Sequence, residues 1–127
     1  MRIALDTNRY TDFARNDAST VALLETCESI GVPFVVLGEL RAGFAAGRRG
    51  RENEAALARF LSKDGVLVLH SGDSTVRHYA ALAAQLRAQG TKIPTNDLWI
   101  ASLSLEHGRT LATRDAHFRH IPQLPLV

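Results

Sequence analysis

Residues 3–8, with the sequence IALDTN, place a short apolar run directly before a carboxylate. The apolar run predicts a buried strand, so Asp6 is expected at the point where that strand ends. Three later apolar runs, at residues 34–37, 66–69 and 110–113, are also predicted to be strands. The runs at 34–37 and 66–69 are apolar without alternation, which is typical of strands that are covered on both faces.

Helical periods separate the predicted strands. Apolar residues keep helical spacing over residues 21–30, and Gly31 is expected to end that helix. Further helices are predicted at residues 39–46, 55–62 and 74–89, and from Asp97 onwards. Strands that alternate with helices are typical of an α/β fold with a mostly parallel sheet and helices on both faces. We expect four to five strands, the fifth being supplied by residues 123–127.

Length and composition are typical of one folded domain. The chain has 127 residues, close to the usual size of a domain, and we expect a single domain over residues 1–127. Apolar residues make up 46% of the sequence, which argues against disorder. Cys27 is the only cysteine, so no intrachain disulfide is possible. The N-terminus lacks the apolar segment of a signal peptide, and no run reaches the ~20 residues that span a bilayer. The sequence therefore predicts a soluble cytoplasmic protein without a membrane partner.

Three further acidic residues lie in contexts like that of Asp6. Glu39 and Asp115 each come two residues after an apolar run, and Asp97 opens a predicted helix. In open α/β sheets the functional crevice lies beyond the carboxyl ends of the strands. Two carboxylates close together there repel by about 4 kcal/mol at an effective dielectric constant near 20. A hard dication with oxygen ligands reverses this balance, so the four acids predict a Mg²⁺ site suited to phosphodiester chemistry.

Each acid also has an interpretation without metal. Asp6 could cap a helix, Asp97 could complement a helix dipole, and Glu39 and Asp115 could be solvated surface charges. A phospho-accepting receiver-like domain also places acids at this edge of a parallel sheet. Such a domain usually has adjacent acids early in the chain, and Asp6 has no acidic neighbour.

Arginines and histidines supply two weaker signals. Arg48, Arg49 and Arg51 lie in the stretch GRRGR and could bind RNA phosphates, contact an acidic partner, or form a solvated helix junction. His117 and His120 are three residues apart and could share a helical face as a transition-metal site. Neither a cysteine nor a third close ligand accompanies them, so the acidic site is the favoured interpretation.

Four strings in this order, LDTN, VLGEL, IPTNDLWIAS and LATRDAHF, resemble a known family over essentially the whole chain. They are similar to PIN-domain ribonucleases and, more narrowly, to the VapC toxins of bacterial toxin–antitoxin pairs. The most specific part is TNDLWIAS followed by TRDAHF. The resemblance implies a PIN-like α/β domain with a Mg²⁺ or Mn²⁺ site. It implies catalytic and metal-binding roles for Asp6, Glu39, Asp97 and Asp115, and supporting roles for Asn8 and Thr113.

The resemblance implies a metal-dependent endoribonuclease that acts as a toxin. Metal-assisted attack of water on the phosphodiester bond would leave 5′-phosphate and 3′-hydroxyl ends. The resemblance also implies an RNA substrate, a cognate VapB-like antitoxin whose tail blocks the metal pocket, and a homodimer. The alternative is a non-catalytic PIN-like module that binds RNA or a protein partner, and the four intact acids argue against it.

Overall fold

A four-stranded sheet lies at the centre of the computed structural model, which describes residues 1–127. The strands are β1 (Arg2–Leu5), β2 (Ser29–Pro33), β3 (Val66–Leu69) and β4 (Thr110–Ala112). They lie in the order β3-β2-β1-β4, and every neighbouring pair is parallel. Their carboxyl ends therefore meet at one edge of the sheet.

Six α-helices and one 3₁₀ helix surround this sheet. They are α1 (Thr7–Ala14), α2 (Ala18–Glu25), α3 (Phe34–Ala46), α4 (Gly50–Leu61), α5 (Asp73–Gln89), α6 (Thr95–Glu106) and the 3₁₀ helix Ala116–His120. Ile3, Ala4 and Leu5 of β1 are all fully buried. Successive side chains of a strand point to opposite faces of the sheet, so this burial involves both faces. Both faces of the central strand are therefore covered, and the predicted α/β fold is confirmed. None of the helices combines the length and the apolarity that crossing a membrane requires.

The predicted strand at residues 34–37 is wrong, because these residues form the first turn of α3. The true strand, β2, precedes them and ends at Pro33, which is the N-cap residue of α3. A short apolar run fits a buried strand and a buried helix equally well. Here the run continues into a helix of 13 residues, and Val36, Leu37 and Leu40 are buried as part of it.

The predicted helix at residues 21–30 is wrong in its second half. Helix α2 ends at Glu25, and the strand β2 begins at Ser29. Gly31 therefore does not end a helix but lies inside β2, where a Cβ atom would come within 2.8 Å of Leu69 Cδ1. The side chain of the neighbouring strand occupies this space, which explains why glycine stands here.

The two outer strands of the sheet differ in their cover. Residues 66–69 form β3 as predicted, but Leu67 is 43% exposed, so the expectation of cover on both faces is wrong for this edge strand. At the opposite edge, Leu126 forms one parallel bridge with Leu111 of β4. The contribution that we expected from residues 123–127 is limited to this bridge, and the sheet has four strands.

The remaining helix predictions agree with the structure in position. The helices predicted at residues 55–62 and 74–89 correspond to α4 and α5, although α4 begins earlier, at Gly50. The helix expected from Asp97 is α6, which begins at Thr95. Helix α1 was not predicted.

Candidate metal centre

Asp6 lies immediately after β1 and caps the first turn of α1. One carboxylate oxygen, Oδ1, accepts a hydrogen bond of 2.8 Å from the Thr7 backbone N–H. The other, Oδ2, accepts hydrogen bonds from the Thr113 hydroxyl at 2.6 Å and from the Asn8 side-chain amide at 3.3 Å. Asp6 therefore caps a helix and also presents its carboxylate at the carboxyl edge of the sheet.

Glu39 reaches the same edge from the second turn of α3, one turn later than the sequence predicted. Its Oε1 accepts a hydrogen bond of 2.8 Å from the Thr7 hydroxyl. Thr7 thus joins two carboxylates, since its backbone N–H donates to Asp6 and its hydroxyl donates to Glu39. Thr7 was not predicted as a site residue, and its only local signal is a hydroxyl directly beside Asp6.

Asp97 and Asp115 come together from α6 and from the loop after β4. The Asp97 side chain lies in the first turn of α6 and is 13% exposed. Asp115 caps the 3₁₀ helix by accepting a hydrogen bond of 2.9 Å from the His117 backbone N–H. One ligand atom from each of these three residues lies within 4.8 Å of the other two.

Thr113 and Asn8 link Asp6 to the loop that carries Asp115. The Thr113 hydroxyl donates to Asp6 Oδ2 and accepts a hydrogen bond of 3.0 Å from the Asp115 backbone N–H. The Asn8 amide donates to the same hydroxyl oxygen at 3.4 Å, and its carbonyl oxygen accepts from the Arg114 backbone N–H at 3.1 Å. These bonds hold the start of α1 against the end of β4.

Burial and mutual repulsion raise the pKa values of two of the acids. The Asp97 pKa rises to about 6, first because the carboxyl is buried and then because Asp115, Asp6 and Glu39 are negatively charged, while His117 opposes the rise. The Asp6 pKa is also raised, mainly by burial, with further contributions from Glu39 and Asp115 that two hydrogen bonds from threonines oppose. The four carboxylates therefore lie close enough to repel one another.

The Asp115 carboxyl differs from the other two. Burial raises its pKa, but hydrogen bonds from His117 and the positive charge of His117 outweigh burial. The pKa of Asp115 therefore lies below its usual value. Carboxylate oxygens of Asp97 and Asp115 lie within 4.8 Å of each other, and the negative charge is held more readily on Asp115.

The chemistry of this donor set fits a divalent cation. Asp97 Oδ2 is buried and has no hydrogen-bond partner, although His117 Nδ1 lies 3.3 Å away. A buried carboxylate oxygen without a partner is costly unless a proton or a cation is supplied. Carboxylate oxygens are preferred ligands of Mg²⁺ and Mn²⁺. The clustered acids and the unpartnered oxygen therefore suit a hard divalent ion.

Comparisons with known proteins bear on the family and the fold of this chain. A family profile described as "PIN domain" matches residues 3–124. The chain belongs to the PIN-domain family. It is 29% identical over 120 residues to Ribonuclease VapC2 of Rickettsia felis, covering 94% of this chain and 86% of the relative. It is 33% identical over 125 residues to the plasmid stability protein StbB of Pseudomonas syringae pv. tomato, covering 89% of this chain and 87% of the relative.

A solved structure extends the similarity of this PIN domain to three dimensions. The crystal structure of VapBC2 from Rickettsia felis, bound to a DNA fragment from their promoter, superimposes with a TM-score of 0.89. The sequence identity is 28%, and the match covers 100% of this chain and 98% of that chain. The whole PIN domain, including all four acidic positions, thus lies within the matched fold.

Of the three arginines predicted as possible RNA contacts, Arg48 and Arg49 lie in the connection between α3 and α4, and Arg51 lies in the first turn of α4. Arg49 forms an ion pair with Glu52. Arg48 and Arg51 are exposed and form no side-chain hydrogen bond or ion pair. Helix α3 carries the chain about 10 Å from Glu39 before this connection begins.

The two histidines that were set aside have different positions in the PIN domain. His117 joins Asp97 and Asp115, whereas His120 belongs to no such group. The premise that no ligand accompanies the histidines is wrong for His117, because Asp115 stands two residues before it and Asp97 reaches it from α6. The first of these partners could have been found from the spacing in the string DAH.

Proposed function

We propose that this PIN domain is a metal-dependent endoribonuclease and acts as the toxin of a toxin–antitoxin pair. The proposal is carried by the convergence of four carboxylates from separate elements, with Asp97 Oδ2 buried and unpartnered among them. The name of one relative, Ribonuclease VapC2, supports RNA cleavage. The matched VapBC2 structure supports a VapB-like antitoxin as partner.

The acidic cluster would hold Mg²⁺, or alternatively Mn²⁺, through Asp6, Glu39, Asp97 and Asp115. When bound there, the ion would lower the pKa of a water molecule and neutralise negative charge on the phosphoryl oxygens. The Thr7 hydroxyl orients Glu39 through Oε1 and leaves Oε2 without a protein hydrogen bond. The Thr113 hydroxyl orients Asp6 in the same way, so the carboxylates are positioned by neutral donors that add no competing charge.

Two arginines are suited to hold the RNA outside the acidic pocket. Arg48 and Arg51 are exposed and unpaired, so each is free to contact a phosphate. Such contacts position a substrate without reading its sequence. Arg49 already pairs with Glu52, so its contribution to RNA binding would be smaller. The protein would act as a homodimer on cytoplasmic RNA.

Induced expression in bacteria tests this function. The wild-type protein should arrest growth and produce new RNA ends at defined positions, and co-expression of the neighbouring reading frame should suppress both effects. Asp97→Asn keeps the size of the side chain but removes its charge, so it should produce neither effect. His120→Ala is the matched control. His120 is exposed and lies outside the acidic group, so this variant should behave as wild type.

Two results would contradict the proposal. Identical new RNA ends from the wild type and from Asp97→Asn would show that the acidic cluster does not cut the RNA. A folded wild-type protein that produces no new ends at all would favour the non-catalytic binding module.

A further inference from the structure

The imidazole of His117 lies between two of the clustered acids. Its Nδ1 is 2.9 Å from Asp115 Oδ1 and 3.3 Å from Asp97 Oδ2. The second nitrogen, Nε2, forms no hydrogen bond or ion pair within the protein, and the His117 side chain is 50% exposed. His117 therefore offers Nδ1 to the pocket while the far side of the ring faces solvent.

The backbone holds His117 in this position. Asp115 accepts the His117 backbone N–H at 2.9 Å, which turns the chain so that the imidazole returns over the same carboxylate. Phe118, the next residue, is fully buried and anchors the 3₁₀ helix in the core. The position of Nδ1 is thus fixed by a helix cap and a core side chain rather than by the ion pair alone.

We propose that His117 Nδ1 is a ligand of the divalent ion, together with Asp97 and Asp115, and that it makes the site prefer Mn²⁺ over Mg²⁺. The proposal rests on the metal centre of the proposed function and adds a residue and a metal preference to it. Imidazole suits transition metals, whereas Mg²⁺ favours oxygen ligands and retains water. Mn²⁺ is a transition metal that also accepts carboxylates, so replacing one oxygen ligand by a nitrogen favours Mn²⁺ relative to Mg²⁺.

The separations of His117 Nδ1 from the two carboxylate oxygens are close to those of neighbouring ligands on an octahedral ion. Adjacent ligands of an octahedral ion with bonds of 2.0–2.1 Å lie about 2.9 Å apart. The two distances from His117 Nδ1, 2.9 and 3.3 Å, are close to this value. Asp97 Oδ2, the buried oxygen without a hydrogen-bond partner, is one of these two oxygens, so an ion here would satisfy it.

A different role for His117 predicts the opposite effect. If the ring served only as a positively charged counter-ion between the two carboxylates, a metal ion would have to displace it. Removal of His117 would then tighten metal binding instead of weakening it. The sign of the change in metal affinity therefore separates a ligand from a counter-ion.

Mn²⁺ binding to the protein without RNA tests the proposal. Titration followed by the EPR signal of free Mn²⁺ should show that His117→Ala lowers the Mn²⁺ affinity about tenfold or more. The Mg²⁺ affinity, measured by competition, should fall less than ~threefold, because water can replace the nitrogen at a hard ion. Pulsed EPR of bound Mn²⁺ should detect ¹⁴N coupling from a coordinated imidazole in the wild type and in His120→Ala, and none in His117→Ala.

Four results would overturn the proposal, and two of them also test the metal centre separately. Equal or tighter Mn²⁺ binding by His117→Ala, or ¹⁴N coupling that survives in this variant, excludes His117 as a ligand. Mn²⁺ bound without ¹⁴N coupling in the wild type, and lost in Asp97→Asn, excludes His117 but supports the acidic metal centre. Absence of Mn²⁺ binding by the wild type would exclude both. Because no RNA is present, a failure of the nuclease assignment alone leaves these readouts unchanged.

Discussion

At the scale of single residues, Thr7 is the side chain that positions Glu39. Its hydroxyl donates a hydrogen bond of 2.8 Å to Glu39 Oε1, and no other protein group donates to that carboxylate. The backbone N–H of the same residue donates to Asp6, so the peptide group is used as well as the side chain. A change at the hydroxyl alone therefore isolates the orientation of Glu39 from the capping of α1.

Thr7→Val should lower kcat/KM for RNA cleavage roughly tenfold, which is the scale of one hydrogen bond to a charged group. The substitution keeps the branched shape and removes the donor, while Thr7→Ser keeps the donor and should stay within ~twofold of wild type. Single-turnover cleavage of an RNA oligonucleotide measures both variants. Wild-type rates for Thr7→Val would show that Glu39 needs no orientation by this hydroxyl.

The Asp97 carboxyl makes the stability of the metal-free protein depend on pH. Burial, with the charges of Asp115 and Asp6, raises its pKa from 3.8 to about 6. Between these values the folded protein keeps a proton that the unfolded chain has released, so stability falls as the pH rises through this window. Asp97→Asn removes this loss and should be more stable than wild type by about 1–3 kcal/mol near neutral pH.

Urea unfolding in EDTA at several pH values measures this difference. The advantage of Asp97→Asn should shrink as the pH is lowered towards 4, because the wild-type carboxyl is then protonated in both states. If the wild type were more stable than Asp97→Asn at neutral pH without metal, burial and the neighbouring charges would not destabilise the ionised Asp97 carboxylate.

At the scale of elements, periodicity correctly predicted the strands at residues 66–69 and 110–113. Around β2 it predicted a helix where the strand begins and a strand where α3 begins. Residues 34–37 are uniformly apolar, and four such residues carry no period that separates a strand from a helix turn. The prediction that Gly31 ends a helix failed for a related reason. The absence of a side chain at Gly31 leaves room for Leu69 on the neighbouring strand, and this requirement cannot be predicted from the local sequence.

Gly31→Ala should destabilise the protein by about 1–3 kcal/mol, because the new Cβ would lie 2.8–2.9 Å from three side-chain atoms of the buried Leu69. Gly43→Ala is the matched control in the exposed part of α3, where a Cβ atom meets nothing within 4 Å. It should stabilise by roughly 0.5–1 kcal/mol through its higher helix propensity. Thermal unfolding compares the two variants. Equal stabilities would mean that Leu69 can move to accept a Cβ atom at residue 31 without destabilising the protein.

At the scale of the whole molecule, the fold brings together acids that local sequence could place only one at a time. Asp6, Asp97 and Asp115 were predicted at one edge because each stands next to the end of a strand or the start of a helix. Glu39 was expected there from a strand that does not exist, and it arrives through α3 instead. Thr7 was missed because its hydrogen bond to Glu39 joins positions 32 residues apart, a contact that only the tertiary structure creates.

Charge is also divided over the molecule, with acids in the pocket and free arginines beyond the end of α3. If Arg48 and Arg51 contact phosphates, the double substitution to alanine should reduce the slope of log affinity against log salt by about 1.4 for single-stranded RNA. Arg77→Ala, at an exposed arginine paired with Asp73, is the control and should leave the slope unchanged. The slopes are measured from RNA binding at several salt concentrations, with the inactivating Asp97→Asn substitution present in every variant. An unchanged slope in the double variant would show that neither arginine contacts a phosphate.

The chemistry of the RNA ends tests most directly whether the four carboxylates cut RNA through a divalent ion. Purified protein should cut an RNA oligonucleotide in Mg²⁺ or Mn²⁺ to give 5′-phosphate and 3′-hydroxyl ends, as read by mass spectrometry. Excess EDTA or the Asp97→Asn substitution should abolish the products. Cleavage that persists in excess EDTA, or ends that carry a 2′,3′-cyclic phosphate, would contradict the account.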